Sequence, residues 1–88
     1  MPLLLKHTLD ARLMEPPEPF RQVVAKLSRM RPGEYLIMQH RRIPYPLFEF
    51  CTRQSLRWRV VPVEGREEYL ITVYFPADED ELRVTGAL

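Results

Sequence analysis

Apolar residues follow a helical stripe in the first third of the chain. From 20 to 30 they recur at intervals of three or four positions, and basic or polar residues occupy most positions between them. This spacing predicts an α-helix whose apolar face packs against a core. Pro17 and Pro19 suit its first turn, where an amide has no intrahelical acceptor, and "RPG" at 31–33 ends it.

Four other segments have the length and composition of β-strands. "LLLKHTLD" at 3–10 alternates as a first strand, and "EYLIMQ" at 34–39 is almost continuously apolar, as expected of a central strand. The segments at 56–63 and 68–75 flank the turn "EGRE" and predict a hairpin. Pro62 places the first of these two at or near an edge of the sheet, because proline cannot donate a ladder hydrogen bond.

A second helix is predicted to begin at Pro46 and to end near Ser55, with Leu47 and Cys51 on its inward face. "HRRIPYP" at 40–46 precedes it as a loop. The element order is therefore β-α-β-α-β-β. Helices that alternate with strands before a closing hairpin predict an α+β fold, a two-layer α/β sandwich with a mixed four-stranded sheet and both helices on one face.

Length and composition describe one small globular domain. The chain has 88 residues, of which 45% are hydrophobic. No apolar segment approaches the roughly 20 residues that span a bilayer, and "MPLLLK" at 1–6 is too short for a signal-peptide core, so we expect it to be part of the fold. Cys51 is the single cysteine, which excludes an internal disulfide. These features predict a cytoplasmic protein without a membrane partner.

The charges are segregated along the chain, although the formal net charge is only +1. Residues 21–59 contain nine basic and two acidic residues, whereas residues 76–88 contain four acidic residues and one arginine. The middle segment is therefore a candidate anion-binding surface. We expect 76–88 to be an acidic C-terminal tail that follows a domain of residues 1–75.

Two aromatic residues lie among basic ones, a combination that binds single-stranded nucleic acid through phosphate contacts and base stacking. The aromatic residues are Tyr45 and Trp58, and the basic ones are Arg41, Arg42, Arg53, Arg57 and Arg59. In "LRWRVV", however, strand alternation places Trp58 on the core face and Arg57 and Arg59 on the solvent face. A solvated sheet face is the prediction, and nucleic-acid binding stays as an alternative.

The junction between the first strand and the first helix reads "LDARLMEPPEP". It resembles the signature of the TusA/SirA family of small bacterial sulfur carriers, which is Leu-Asp, two residues, Gly-Leu, one residue, Cys-Pro, one residue, Pro. Leu13 stands where that family has glycine, and Pro16 stands where it has the sulfur-accepting cysteine. In the carrier, the helix N-terminus stabilises a thiolate. Proline has no nucleophile, so persulfide carriage by that mechanism is excluded here.

A related domain family of unknown function resembles the chain more closely, over about residues 9–75. Its members combine "LD.R.LEPPEP" with a later "H..P.PL" and an aromatic residue. The matching positions in this chain are Leu9, Asp10, Arg12, Met14, Glu15, Pro16, Pro17, Glu18, Pro19, His40, Pro44, Pro46, Leu47 and Phe48. This resemblance implies a TusA/SirA-like fold for residues 1–75, in which both motifs lie side by side at one edge of the sandwich.

These observations predict a binding or adaptor module rather than an enzyme. The three glycines are isolated, so there is no phosphate-binding loop, and no motif pairs a histidine with a nucleophile. We expect no cofactor, a monomer or weak homodimer, and a protein partner, which the resemblance links to redox, respiratory or sulfur-relay metabolism. The candidate binding surface comprises Asp10, Arg12, Glu15, Pro16, Pro17, Glu18, Pro19, His40, Arg41, Arg42, Pro44 and Pro46.

Two further alternatives use single side chains. His40, together with His7, is a candidate for binding a metal or haem, although a lone histidine without a second ligand at fixed spacing is a poor metal signal. Cys51 is a candidate sulfur acceptor, although its helical position predicts burial.

Overall fold

A computed structural model describes residues 4–88 of the chain, which form four strands and three α-helices. Leu3, where the first strand was predicted to begin, and the first two residues of "MPLLLK" lie outside the described residues. In chain order the elements are β1 Leu5–Asp10, α1 Glu18–Arg29, β2 Glu34–His40, α2 Tyr45–Arg53, β3 Arg57–Pro62, β4 Tyr69–Tyr74, a 3-10 turn Pro76–Asp78, and α3 Glu79–Val84.

The strands form a mixed sheet in the order β1-β2-β4-β3. β1 and β2 are parallel, whereas β4 is antiparallel to both β2 and β3. Leu9 lies opposite Met38 across the parallel pair, and His40 lies opposite Tyr69. The predicted four-stranded mixed sheet is confirmed, and β3, which ends at Pro62, is an edge strand as predicted.

α1 and α2 pack on one face of this sheet and bury a single apolar core. The helices contribute Val23 and Leu27 from α1 and Leu47 and Cys51 from α2. The strands contribute Leu9, Leu36, Met38, Ile71 and Val73. Each buried aliphatic side chain contributes about 1.5–3 kcal/mol to folding, so this layer is the main source of stability. The two-layer sandwich with α1 and α2 on one face is therefore confirmed.

The turn between α1 and β2 accounts for the glycine at position 33. Glu34 donates its backbone N–H to the carbonyl of Arg31 at 2.9 Å, and Gly33 has φ of +94°. A type II turn requires positive φ at its third position, which glycine adopts readily, and it favours proline at its second. The turn sends the chain from the end of α1 directly into the central strand.

Residues 76–88, predicted as an acidic tail, are folded onto the end of the sheet. The Asp78 carboxylate accepts the backbone N–H of Gly33 at 2.8 Å, and the Glu79 carboxylate lies 3.0 Å from the Arg57 guanidinium. Leu82 of α3 is fully buried. This third helix was not predicted from the sequence. It packs against the end of the sheet where β4 terminates. Within residues 4–88, no helix is long and apolar enough to cross a bilayer.

Candidate functional site

The candidate site lies at the opposite end of the sheet, where β1 and β2 terminate. Because these two strands are parallel and each is followed by a helix, the N-termini of α1 and α2 meet at the same edge. Ligands of open α/β sheets commonly bind at the carboxyl ends of parallel strands. We name this region the proline edge and define it as residues 12–20 and 40–47.

A cavity of about 160 Å³ opens between the two helix N-termini. Its floor is apolar and includes Val23, Met38 and Leu47, which are buried side chains of the core. His40 and Arg42 provide its polar groups. Its walls include Pro16, Pro19, Phe20, Ile43, Pro44 and Pro46.

The N-terminus of α1 offers few hydrogen-bond donors to this cavity. Proline at 16, 17 and 19 removes three backbone N–H groups, and the peptide bond between Pro16 and Pro17 is cis. Glu18 donates its N–H to the carbonyl of Glu15 at 2.9 Å, and Arg21 donates to the carbonyl of Pro17 at 3.1 Å. An anion at a helix N-terminus depends on exposed amides. This terminus therefore offers an anion or a thiolate fewer amide donors than a helix start without prolines.

The N-terminus of α2 repeats the same arrangement. Pro44 and Pro46 lack the N–H, Tyr45 donates to the carbonyl of Ile43 at 3.0 Å, and Leu47 donates to the carbonyl of Pro44 at 2.9 Å. Both helices that border the cavity thus begin with proline rings, and the N–H groups of Glu18, Arg21, Tyr45 and Leu47 have acceptors within the protein. The cavity is suited to an apolar group.

A second cavity of about 160 Å³ adjoins the first and is basic. Arg12, Arg41 and Arg42 line it together with Glu15, and Pro16 and His40 are shared with the first cavity.

Arg12 is already held by other side chains. Its guanidinium makes two hydrogen bonds to Asp10, at 2.8 and 2.7 Å, and lies 3.5 Å from Glu68. These bonds and the N–H of Arg12 lower the pKa of Asp10 to about 2, and the carboxylate raises the pKa of Arg12. Arg41 and Arg42 are exposed and make no ion pair within residues 4–88. The positive charge available to a ligand therefore resides on Arg41 and Arg42.

His40 lies at the boundary between the two cavities. The backbone N–H of Arg41 donates to His40 Nδ1 at 2.9 Å, so in the neutral ring the hydrogen is on Nε2, which is then a donor. Burial, followed by the positive charges of Arg42 and Arg41, lowers the pKa of His40 from its ordinary value of 6.5. Both effects favour the neutral form of the ring.

Three large apolar side chains around this edge are exposed to solvent. Leu13 is 89% exposed, Tyr45 is 69% exposed and Phe20 is 40% exposed. The apolar spacing predicted Phe20 as part of the buried stripe of α1, and this detail is wrong because Phe20 lies in the first turn, where it borders the cavity. Large apolar side chains that stay exposed in neighbouring loops are typical of interaction surfaces when a partner covers them.

Most residues of the predicted binding surface are close together. Asp10 holds the loop through its bonds to Arg12, while Pro17 and Glu18 lie at the start of α1. The other members line the two cavities: Arg12, Glu15, Pro16, Pro19, His40, Arg41, Arg42, Pro44 and Pro46. Leu13 and Ile43 were not among the residues predicted from the sequence, and Tyr45 was named only as a candidate for stacking on nucleic acid. The signal for Tyr45 was its position between Pro44 and Pro46, at the start of α2 within the second proline segment.

His7 does not join His40. His7 lies opposite Leu36 on β2, and Leu36 is four residues before His40. Four strand residues span about 13 Å, so the two histidines are separated by this distance along the sheet. His7 Nε2 is instead 2.8 Å from Glu34 Oε1. Two ligands of one metal ion must each lie about 2 Å from it. The pair therefore cannot share a metal, and among residues 4–88 no three His, Cys, Asp or Glu side chains are grouped to hold one.

Cys51 lies on the inward face of α2, as predicted, and is fully buried. Burial raises the pKa of its thiol to about 11. Since the thiolate is the nucleophilic form, a protonated and enclosed thiol is poorly suited to accept sulfur.

Trp58 is packed against the protein rather than displayed for stacking. Its ring lies parallel to that of Phe48 with centroids 4.9 Å apart. On the other face of β3, Arg57 is paired with Glu79 at 3.0 Å. This arrangement matches the predicted inward orientation of Trp58 and reduces the basic surface available to nucleic acid.

A family model described as "Uncharacterized conserved protein (DUF2249)" matches residues 8–74. The matched segment includes the whole proline edge and ends before α3. Neither curated proteins nor solved structures yield a match to the chain. The family match covers most of the chain, which therefore belongs to the DUF2249 family.

Proposed function

We propose that this member of the DUF2249 family is a non-enzymatic binding module whose working surface is the proline edge. The observation that carries the proposal is the apolar cavity of about 160 Å³ between two helix N-termini, bordered by the partly exposed Phe20, with the exposed Leu13 and Tyr45 in the same two segments of the chain. A protein of 88 residues gains little by leaving such surface in water. The arrangement is explained if another protein covers it.

The resemblance to sulfur carriers suggests an evolutionary relationship for this module. We propose that DUF2249 and the TusA/SirA family share a fold, and that Pro16 occupies the position of the carrier cysteine. The order of elements and the helix N-terminus at residues 16–19 support this relationship. Such a relative would retain the docking edge without the transferred sulfur. On the resemblance alone, its partner belongs to redox, respiratory or sulfur metabolism in the cytoplasm.

Site-specific cross-linking tests the proposal. The photo-reactive residue p-benzoylphenylalanine replaces Tyr45 in one variant and Val84 in a matched control, because both positions are strongly exposed but lie at opposite ends of the sheet. After irradiation in cells of the source organism, we expect the position 45 variant to give a discrete protein adduct. The position 84 variant should not give that adduct.

A third variant carries the same group at Leu13, on the other side of the proline edge. Recovery of the same partner from positions 13 and 45 would define the edge as the contact. Adducts that form equally at position 84, or only there, would refute the proposed surface.

A further inference from the structure

The two cavities of the proline edge adjoin each other. Pro16, His40 and Arg42 line both of them. An occupant of the apolar cavity therefore contacts the same residues that border the basic cavity. A single ligand segment can fill one cavity and reach the other.

The size of the apolar cavity limits what enters it. A protein cavity of about 150 Å³ accommodates one benzene ring, whereas sites for drug-sized ligands and cofactors measure roughly 300–1,000 Å³. The cavity of about 160 Å³ matches one phenyl or branched aliphatic group. By itself it is smaller than sites that enclose haem or a nucleotide, and it matches the side chain of a partner protein.

The chemistry of the basic cavity indicates what accompanies that side chain. Arg41 and Arg42 are exposed without an ion pair within the described chain, while Arg12 is already bound to Asp10. Glu15 is the acidic side chain in the lining, so positive charge exceeds negative charge there. His40 adds a donor at Nε2. Carboxylates complement this set, because arginine binds them through paired hydrogen bonds.

We propose that the proline edge binds an acidic segment of a partner protein by enclosing one of its aromatic or branched aliphatic side chains. The apolar side chain enters the cavity between α1 and α2, and neighbouring Asp or Glu residues contact Arg41 and Arg42. The proposal rests on the proposed function and adds the chemistry of the partner. Buried apolar anchors within a polar surround commonly supply most of the affinity of such contacts.

Fluorescence anisotropy with synthetic peptides tests this inference directly. The probe is a labelled peptide of about eight residues, an extended length of roughly 26 Å, with one central phenylalanine among Asp, Glu, Ser and Gly. One matched peptide replaces phenylalanine by alanine, and another replaces the acidic residues by lysine. We expect the acidic phenylalanine peptide to bind about tenfold or more tightly than either. Its affinity should decrease as the salt concentration is raised from about 0.05 to 0.3 M.

Protein variants assign the binding to this edge. The double variant Arg41→Gln and Arg42→Gln should weaken binding about tenfold, whereas Arg53→Gln and Arg59→Gln, which change exposed arginines outside the edge, should leave it unchanged. Ile43→Trp should block the apolar cavity, and Phe20→Ala should open its wall. Circular dichroism verifies the fold of each variant. Loss of affinity in either correctly folded cavity variant supports the proposal.

Other outcomes overturn the inference. Equal binding of the alanine peptide would show that no apolar side chain is enclosed. Tighter binding of the lysine peptide would show that the edge prefers basic segments to acidic ones. Failure of all peptides to bind while positions 13 and 45 still cross-link a partner would refute the acidic recognition and leave the proposed function intact. Absence of cross-links at the proline edge would instead refute the proposed function.

Discussion

The two ends of the sheet treat charge and apolar surface differently. Beyond β4, Glu79 accepts hydrogen bonds from both Arg57 and the Tyr74 hydroxyl at 3.0 Å, and Leu82 is fully buried. At the proline edge, Arg41 makes no ion pair within residues 4–88, and Tyr45 is mostly exposed. Glu79 and Leu82 are thus satisfied within the protein, whereas Arg41 and Tyr45 stay available to a partner.

This difference separates stability from recognition. A domain of this size buries only about 60–65% of the surface that its unfolded chain exposes, so every buried side chain matters. α3 adds a buried leucine where the sheet would otherwise end in water. Apolar side chains left exposed at the proline edge contribute little to folding, and they contribute to binding when a partner covers them. Matched changes at the two ends should therefore have unequal effects.

The largest contrast is expected between Leu82→Ala and Leu13→Ala, which remove the same atoms from a buried and an exposed site. Leu82→Ala should lower the free energy of unfolding by about 2–5 kcal/mol, because it leaves a cavity. Leu13→Ala should change it by no more than about 0.5 kcal/mol. Urea denaturation of both variants measures the difference, and a similar loss in both would remove the distinction between the two ends.

Glu79→Gln should be less destabilising than Leu82→Ala and should depend on pH. Hydrogen bonds from Arg57 and Tyr74 lower the pKa of Glu79 from its ordinary value of 4.5. The ionised group therefore stabilises the folded state above pH 4.5, and this contribution is lost as the pH falls through the lowered pKa. Urea denaturation between about pH 3 and 7 should show a difference from the parent that shrinks in acid. Glu81→Gln, at an exposed position, is the control, and an equal effect there would contradict the network.

The main fold could be predicted because its elements have strong local patterns. The apolar stripe of α1 and the alternation along the strands record burial within each element. α3 has no such pattern, since it is six residues long and buries Leu82 alone. It is stabilised by contacts distant in sequence, from Asp78 to Gly33 and from Glu79 to Arg57. A local reading of the acidic residues therefore predicted a tail.

The residues of the candidate site could be predicted from sequence motifs, but the cavity that they line could not. The two proline segments were expected to lie together from the resemblance, and proline at a helix start was expected from elementary geometry. The cavity between them depends on how far α1 and α2 are spaced by the core, which the sequence does not state. For the same reason, the stripe from Phe20 to Met30 did not reveal that its first member borders a cavity.

The double variant Arg41→Gln and Arg42→Gln should leave stability almost unchanged. Neither side chain has an ionic partner within the described chain, and both are exposed. We expect the free energy of unfolding to change by no more than about 0.5 kcal/mol, although binding of the acidic peptide weakens. Urea denaturation with the parent protein as reference gives the value. A large loss of stability would mean that these arginines serve the fold, which would make the two ends of the sheet alike.

The smallest and most local expected effect is a change in the pKa of His40. Its pKa, measured by NMR from the pH dependence of the ring proton shifts, should lie below 6.5, because burial and the adjacent arginine charges disfavour the imidazolium. Folding then releases a proton near this pH, so the contribution of His40 to stability is present above pH 6.5 and falls as the pH decreases. Arg42→Gln should raise the pKa, and saturating acidic peptide should raise it further by placing carboxylates beside the ring. A pKa at or above 6.5 in the free protein would show that the ring does not experience these charges, and the basic character assigned to the proline edge would then be wrong.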